Sequence, residues 1–185
     1  MVKFIIKTFV FSILSFISVL LLYILSSNTL ENNFKYKISG SPDYYIIGHS
    51  FPQCAYNDDL ISNTRNIALA GEAYYYNYFK LKKILQNNPQ PKAVFIEYTN
   101  NQLLKNMNDW IWDDKHISQK YIPMSPFIPL QETDVLLKNN FSGFSNGFSL
   151  ALKSNMFSVL KKDFPSINDL GGYRKLDNVL TDNKD

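Results

Sequence analysis

Three short stretches combine residue types that acyl transfer uses. Gly48-His49-Ser50 offers a serine hydroxyl, which becomes a nucleophile when a neighbouring base takes its proton. Ala70-Gly71-Glu72 offers a glycine, whose bare backbone lets its N–H approach a developing oxyanion. Thr99-Asn100-Asn101 offers an asparagine amide as a further donor. Each also has an ordinary reading: Ser50 as a helix cap, Gly71 as a turn, Asn100 as the cap of a following helix. Pro52 stands where a G-x-S-x-G nucleophile elbow needs glycine, so the first stretch alone is a weak signal.

A serine esterase also needs a base, and the chain has two histidines, His49 and His116. His49 adjoins Ser50, and neighbouring residues on a strand-end loop are expected to point apart. His116 closes Asp113-Asp114-Lys115-His116 and is a candidate base by type, but its charged surroundings read as a surface turn. Glu97 is expected to pair with nearby backbone or with Arg65 rather than act in catalysis. Asp109, Asp113 and Asp114 beside Trp110 and Trp112 resemble the make-up of a sugar subsite, yet read as a solvated turn with the indoles folded inward. Cys54, the single cysteine, permits no intrachain disulfide and reads as a small buried residue. The two histidines are far apart and lack helical i, i+4 spacing, which gives no zinc-ligand pattern, and no P-loop or G-x-G-x-x-G is present, so no metal or cofactor is expected. A net charge of +3 gives no case for nucleic acid.

The elements that must position these residues alternate. Asp43–Gly48 reads as a buried strand, followed by a short helical piece near Asn57–Ser62. Arg65–Leu69 reads as a second strand, Glu72–Gln86 as a helix of 3.6-residue period stopped by Asn87-Asn88-Pro89, and Lys92–Glu97 as a third strand. This β, loop, β, α, β order predicts an α/β domain with a parallel sheet, whose ligands bind at the carboxyl ends of the strands. Beyond residue 101, Ile122–Leu130 holds three prolines and reads as a loop, with helices expected at Asp134–Lys138 and Ser149–Lys162. A composition 45% hydrophobic and 15% aromatic excludes a disordered chain.

Thr8–Leu25 carries no charge and follows Lys3 and Lys7. As a helix it spans roughly 27 Å, close to the hydrocarbon thickness of a bilayer. A retained anchor and a cleaved signal peptide compete. The run is longer than a signal peptide's apolar core, and Leu25-Ser26-Ser27 is a poor cleavage site, which favours the anchor. The preceding lysines favour a cytoplasmic N-terminus and a single-pass protein of the cell membrane with its body outside. The expected organisation is a transmembrane anchor over residues 1–26, a polar tether over 27–41 and an α/β domain over 42–185.

Taken together and in order, the three loops resemble the SGNH (GDSL-like) hydrolase family. Gly48-His49-Ser50 matches its first block with His49 in the usual Asp position, Asn66-Ile67-Ala68-Leu69-Ala70-Gly71 its second, and Tyr98-Thr99-Asn100-Asn101 its third, with Tyr for Gly and Asn for Asp. Ile47–Gln102 is also similar to membrane-anchored, uncharacterised SGNH-like proteins of Bacteroidetes-type bacteria. The resemblance covers about a third of the chain. It implies a flavodoxin-like three-layer domain, Ser50 as nucleophile, an oxyanion hole from Ser50, Gly71 and Asn100, and O-acyl groups of an extracytoplasmic glycan as substrate. The family's final block, an Asp-x-x-His near the C-terminus, has no counterpart; the motif ending at His116 comes only sixteen residues after Asn100. The expectation is therefore a C-terminally incomplete domain with no identifiable base and little or no esterase activity. The alternative is a non-catalytic anchored domain that binds a partner.

Overall fold

The structure, a computed structural model, describes residues 1–99 and 104–176. It is a mixed α/β chain that divides into two units, one comprising Met1–Lys35 with Ile111–Ser166 and the other Tyr36–Trp110 with Ile167–Asp185.

The second unit holds the sheet. β1 (Tyr44–Ile47) lies between β2 (Thr64–Asn66) and β3 (Ala93–Ile96) and is parallel to both, in the order β2-β1-β3. Tyr45 faces Arg65 on one side and Val94 on the other. β1 is the buried strand, with Tyr45, Ile46 and Ile47 inside, and its run of apolar residues suits a central parallel strand. The chain leaves β1 into the short helix α2 (Ser50–Ala55). The helical piece expected at Asn57–Ser62 is instead turn; helix forms earlier because His49 caps it and Pro52 is tolerated in a first turn. α3 (Tyr74–Asn87) crosses from β2 to β3 and buries Tyr76, Phe79, Lys80 and Ile84 at helical spacing. It ends at Asn88, whose side chain donates to the carbonyls of Ile84 and Tyr36 and accepts from the Ile38 N–H.

Two buried polar clusters fasten this unit. Asn66, wholly buried, donates to the carbonyls of Pro52 and Tyr56 at 2.8 and 2.7 Å and accepts from the Ala68 N–H at 3.0 Å. This ties α2 to the end of β2. Lys80, also wholly buried, pairs with Glu72 and donates to the carbonyls of Ile67 and Leu170 at 2.7 and 3.1 Å. Burial lowers the Lys80 pKa, against the opposing pull of the Glu72 carboxylate.

The first unit is helical. α1 (Val2–Asn33) is one continuous helix with a mean hydropathy of 2.5 over its most apolar stretch, and it is long and apolar enough to cross a membrane. Up to Leu22 its side chains are exposed, or at Leu20 half-buried, and that length amounts to roughly 30 Å. The hydroxyls of Ser12 and Ser18 donate back to the carbonyls of Thr8 and Leu14, so they need no water. From Tyr23 the helix enters a protein core, with Tyr23, Ser26, Ser27 and Leu30 buried. Tyr23 stacks on Phe148, and its hydroxyl lies 2.8 Å from that of Tyr121. Helix thus runs through the first seven residues of the segment read as a polar tether, and Lys35 forms a parallel bridge with Ser166.

α4 (Asp134–Asn139) and α5 (Phe141–Lys161) complete this unit, after short helical turns that include one π-helical turn at Ile117–Tyr121. α5 buries Gly143, Gly147, Ala151 and Asn155 along one line. Asn155 donates to the hydroxyls of Ser27 and Ser125. The segment Ile122–Leu130, expected as loop, carries a helical turn at Ile122–Met124, with Pro123 at its start where proline costs little.

Candidate active site

β1 hands the chain to Gly48, at φ +154°. A Cβ there would lie 2.6 Å from both the Cβ and Oε2 of Glu97 and 2.8 Å from Pro52 Cγ. The missing side chain is what lets Glu97 lie against this turn. Glu97 arrives from the end of β3, its N–H donating to the Ile47 carbonyl at 3.0 Å and its carbonyl accepting from the Tyr74 hydroxyl at 2.6 Å. Burial first, and then the Glu97 charge, raises the Tyr74 pKa.

The Glu97 side chain is 4% exposed. Its Oε2 accepts the backbone N–H of His49 at 2.9 Å. Its Oε1 stands 3.0 Å from His49 Nε2, at ion-pair distance but off the line of a hydrogen bond, for Oε1 has no hydrogen-bond partner among the described residues. The other ring nitrogen, Nδ1, accepts the Phe51 N–H at 3.4 Å and so caps α2. An accepting nitrogen carries no proton, which puts the proton of the neutral ring on Nε2, beside the carboxylate. The same Nδ1 lies 3.3 Å from Ser50 Oγ. Trp110 stands against the imidazole with ring centroids 6.0 Å apart.

Ser50 hydroxyl, His49 imidazole and Glu97 carboxylate therefore follow one another as nucleophile, base and orienting carboxylate do, with Nδ1 rather than Nε2 facing the hydroxyl. This corrects the expectation that His49 and Ser50 point apart. Capping turns the imidazole back over the first turn of α2, where the exposed Ser50 hydroxyl also lies. Of the two pairings expected of Glu97, the one with nearby backbone is present, in the His49 N–H, while Arg65 is engaged by Asp58, at 3.5 Å, and by Asn168.

The other candidates fall in different places. Gly71 occupies a left-handed turn, φ +71°, in the segment leaving β2, whose carboxyl end shares an edge with those of β1 and β3 because the strands are parallel. Asn100 lies outside the described residues. His116 belongs to the helical unit, where Asp113 accepts from its backbone N–H at 2.6 Å and meets its Nδ1 at 2.7 Å. Asp113 and Asp114 belong to that unit and Asp109 to the other, so the three carboxylates are split between units; Asp114 accepts from Asn140 at 2.8 Å. Cys54 is a half-buried free thiol in α2. Among the described residues, no three His, Cys, Asp or Glu side chains are grouped so as to hold a metal ion.

Beside the Ser50 turn, one face of the sheet opens into a cleft of about 600 Å³, lined by Tyr44, Ile46, Phe51, Tyr56 and Phe95 and reaching Glu97. His49 and Glu97 were legible as chemistry but not as partners. The signal that pairs them is topological: a carboxylate ending one parallel strand, beside a glycine ending its neighbour. No family model, curated protein or solved structure matches the chain.

Proposed function

We propose that the chain is a membrane-anchored, extracytoplasmic α/β protein of the SGNH-like serine-esterase or acyl-transferase kind, acting on O-acyl groups of a glycan. The observation that carries this reading, against the expectation from sequence of little or no esterase activity, is the position of Ser50. It follows the central strand of a parallel sheet of order β2-β1-β3, at the carboxyl edge, with an imidazole and a carboxylate behind it. In a doubly wound sheet the direction of winding reverses between β1 and β3, and ligands bind at that crevice. His49 and Glu97 come from those two strand ends. The strand order is the one that opens a flavodoxin-like domain, which supports the three-layer reading. The long apolar α1, with Lys3 and Lys7 at its start, supports a single-pass anchor with the body outside.

Incubating the full chain in detergent micelles with O-acetylated cell-wall glycan should release acetate, and Ser50→Ala should not. Equal release by both proteins would refute the reading. It would favour the non-catalytic alternative, which the exposed apolar end of β3, with Phe95 and Ile96 each 56% exposed, independently suggests as a binding surface.

A further inference from the structure

We infer that His49 is the general base of Ser50, acting through Nδ1, and that Glu97 is its positioning residue; the inference rests on the serine-esterase reading above. No histidine from elsewhere in the chain is needed. The geometry is assembled within three residues of the end of β1 and closed by one residue from the end of β3. Ser50 Oγ is 3.3 Å from Nδ1, and Nε2 is 3.0 Å from a carboxylate oxygen whose side chain is almost wholly buried. The Phe51 N–H pointing at Nδ1 keeps that nitrogen the acceptor, which is the tautomer a base requires.

The chemistry balances with these groups and an ester. As Ser50 Oγ bonds to the ester carbonyl carbon, its proton passes to Nδ1, whose one lone pair gives up the Phe51 N–H to take it, and the carbonyl π pair moves onto oxygen. The imidazolium so formed has Nε2–H beside the Glu97 carboxylate, which stabilises the cation. When the tetrahedral intermediate collapses, the bond to the alcohol oxygen breaks and the Nδ1 proton leaves with that oxygen, giving acyl-Ser50 and free alcohol. Water, or an acceptor hydroxyl, then attacks with Nδ1 again taking the proton. Release of the acid or new ester returns a proton to Ser50 Oγ. Nothing is oxidised or reduced.

A purely structural role for His49, as the cap of α2, makes a different prediction. His49→Asn keeps a good N-cap but cannot relay a proton. Glu97→Gln keeps an acceptor for the His49 N–H but loses the charge. With the full chain in detergent and p-nitrophenyl acetate as probe, the Ser50-dependent rate is wild type minus Ser50→Ala. His49→Asn should lower it about 10²- to 10⁴-fold, the range of general base catalysis. Glu97→Gln should lower kcat by about tenfold or more with KM within about twofold, the pattern of a lost transition-state interaction. Thermal unfolding of both variants should match wild type; if His49→Asn fails to fold, His49→Gln serves the same comparison. Ser50-dependent turnover that survives in His49→Asn would overturn the inference and leave the esterase reading standing. Absence of both Ser50-dependent turnover and a fluorophosphonate adduct on Ser50 would overturn both.

Discussion

Glu97 and Glu72 are both carboxylates with almost no exposure, yet they do different work. Glu97 meets a titratable ring beside an exposed hydroxyl. Glu72 meets Lys80, whose remaining donors go to the carbonyls of Ile67 and Leu170, so that ammonium is saturated and the pair is structural. Breaking a buried pair strands a charge, whereas removing both partners together does not. Lys80→Met should therefore destabilise the folded chain by about 3–5 kcal/mol, and Lys80→Met with Glu72→Leu should recover most of that loss. Denaturant titration of the two variants decides it, and equal losses would show that the charge pair is not what fastens Ile67 and Leu170. At this scale the sequence offered the right residue types at Gly48-His49-Ser50, and the second block contained Asn66. It did not reveal that capping would bring two neighbouring side chains together, since that depends on a backbone turn at φ −98°, ψ −137° rather than on composition.

Elements were legible where one physical signal dominated. The three strands and α3 follow from apolar runs, hydrophobic period and Asn-Pro punctuation, and each lies within a few residues of its expected place. α5 starts at Phe141, eight residues before the expected start at Ser149, because Gly143 and Gly147 look like helix breakers in sequence and act as close-packing positions in the fold. A Cβ on Gly147 would sit 2.3 Å from Ile117 Cγ2. α1 outran its expected end for a related reason: Ser26 and Ser27 are polar in sequence but buried, with Asn155 donating to the Ser27 hydroxyl at 3.1 Å. This continuity bears on whether α1 is retained. Cleavage near Ser27 would remove Tyr23, 2% exposed, from the core it shares with Phe148 and Tyr121. Tyr23→Ala should cost about 3–5 kcal/mol, as loss of a buried aromatic does. Hydrogen exchange read over Phe141–Lys161 should show that loss, and unchanged protection there would mean that α1 is not part of this core.

For the molecule as a whole, the chain joins a helical unit that includes the long apolar helix to a sheet unit that carries the candidate serine. The class of the fold and the candidate span could be read from hydrophobic patterning. The division into two units could not, because residues 1–35 and 111–166 associate across a long sequence separation that no local pattern encodes. The proposed function requires a reactive serine on the outer side of a membrane-anchored chain. A membrane-impermeant fluorophosphonate applied to intact cells making the full chain tests it most directly. A labelled species near 21.4 kDa should stay with carbonate-washed membranes and disappear in Ser50→Ala. Labelling only after lysis, release by carbonate, or equal labelling of Ser50→Ala would contradict it.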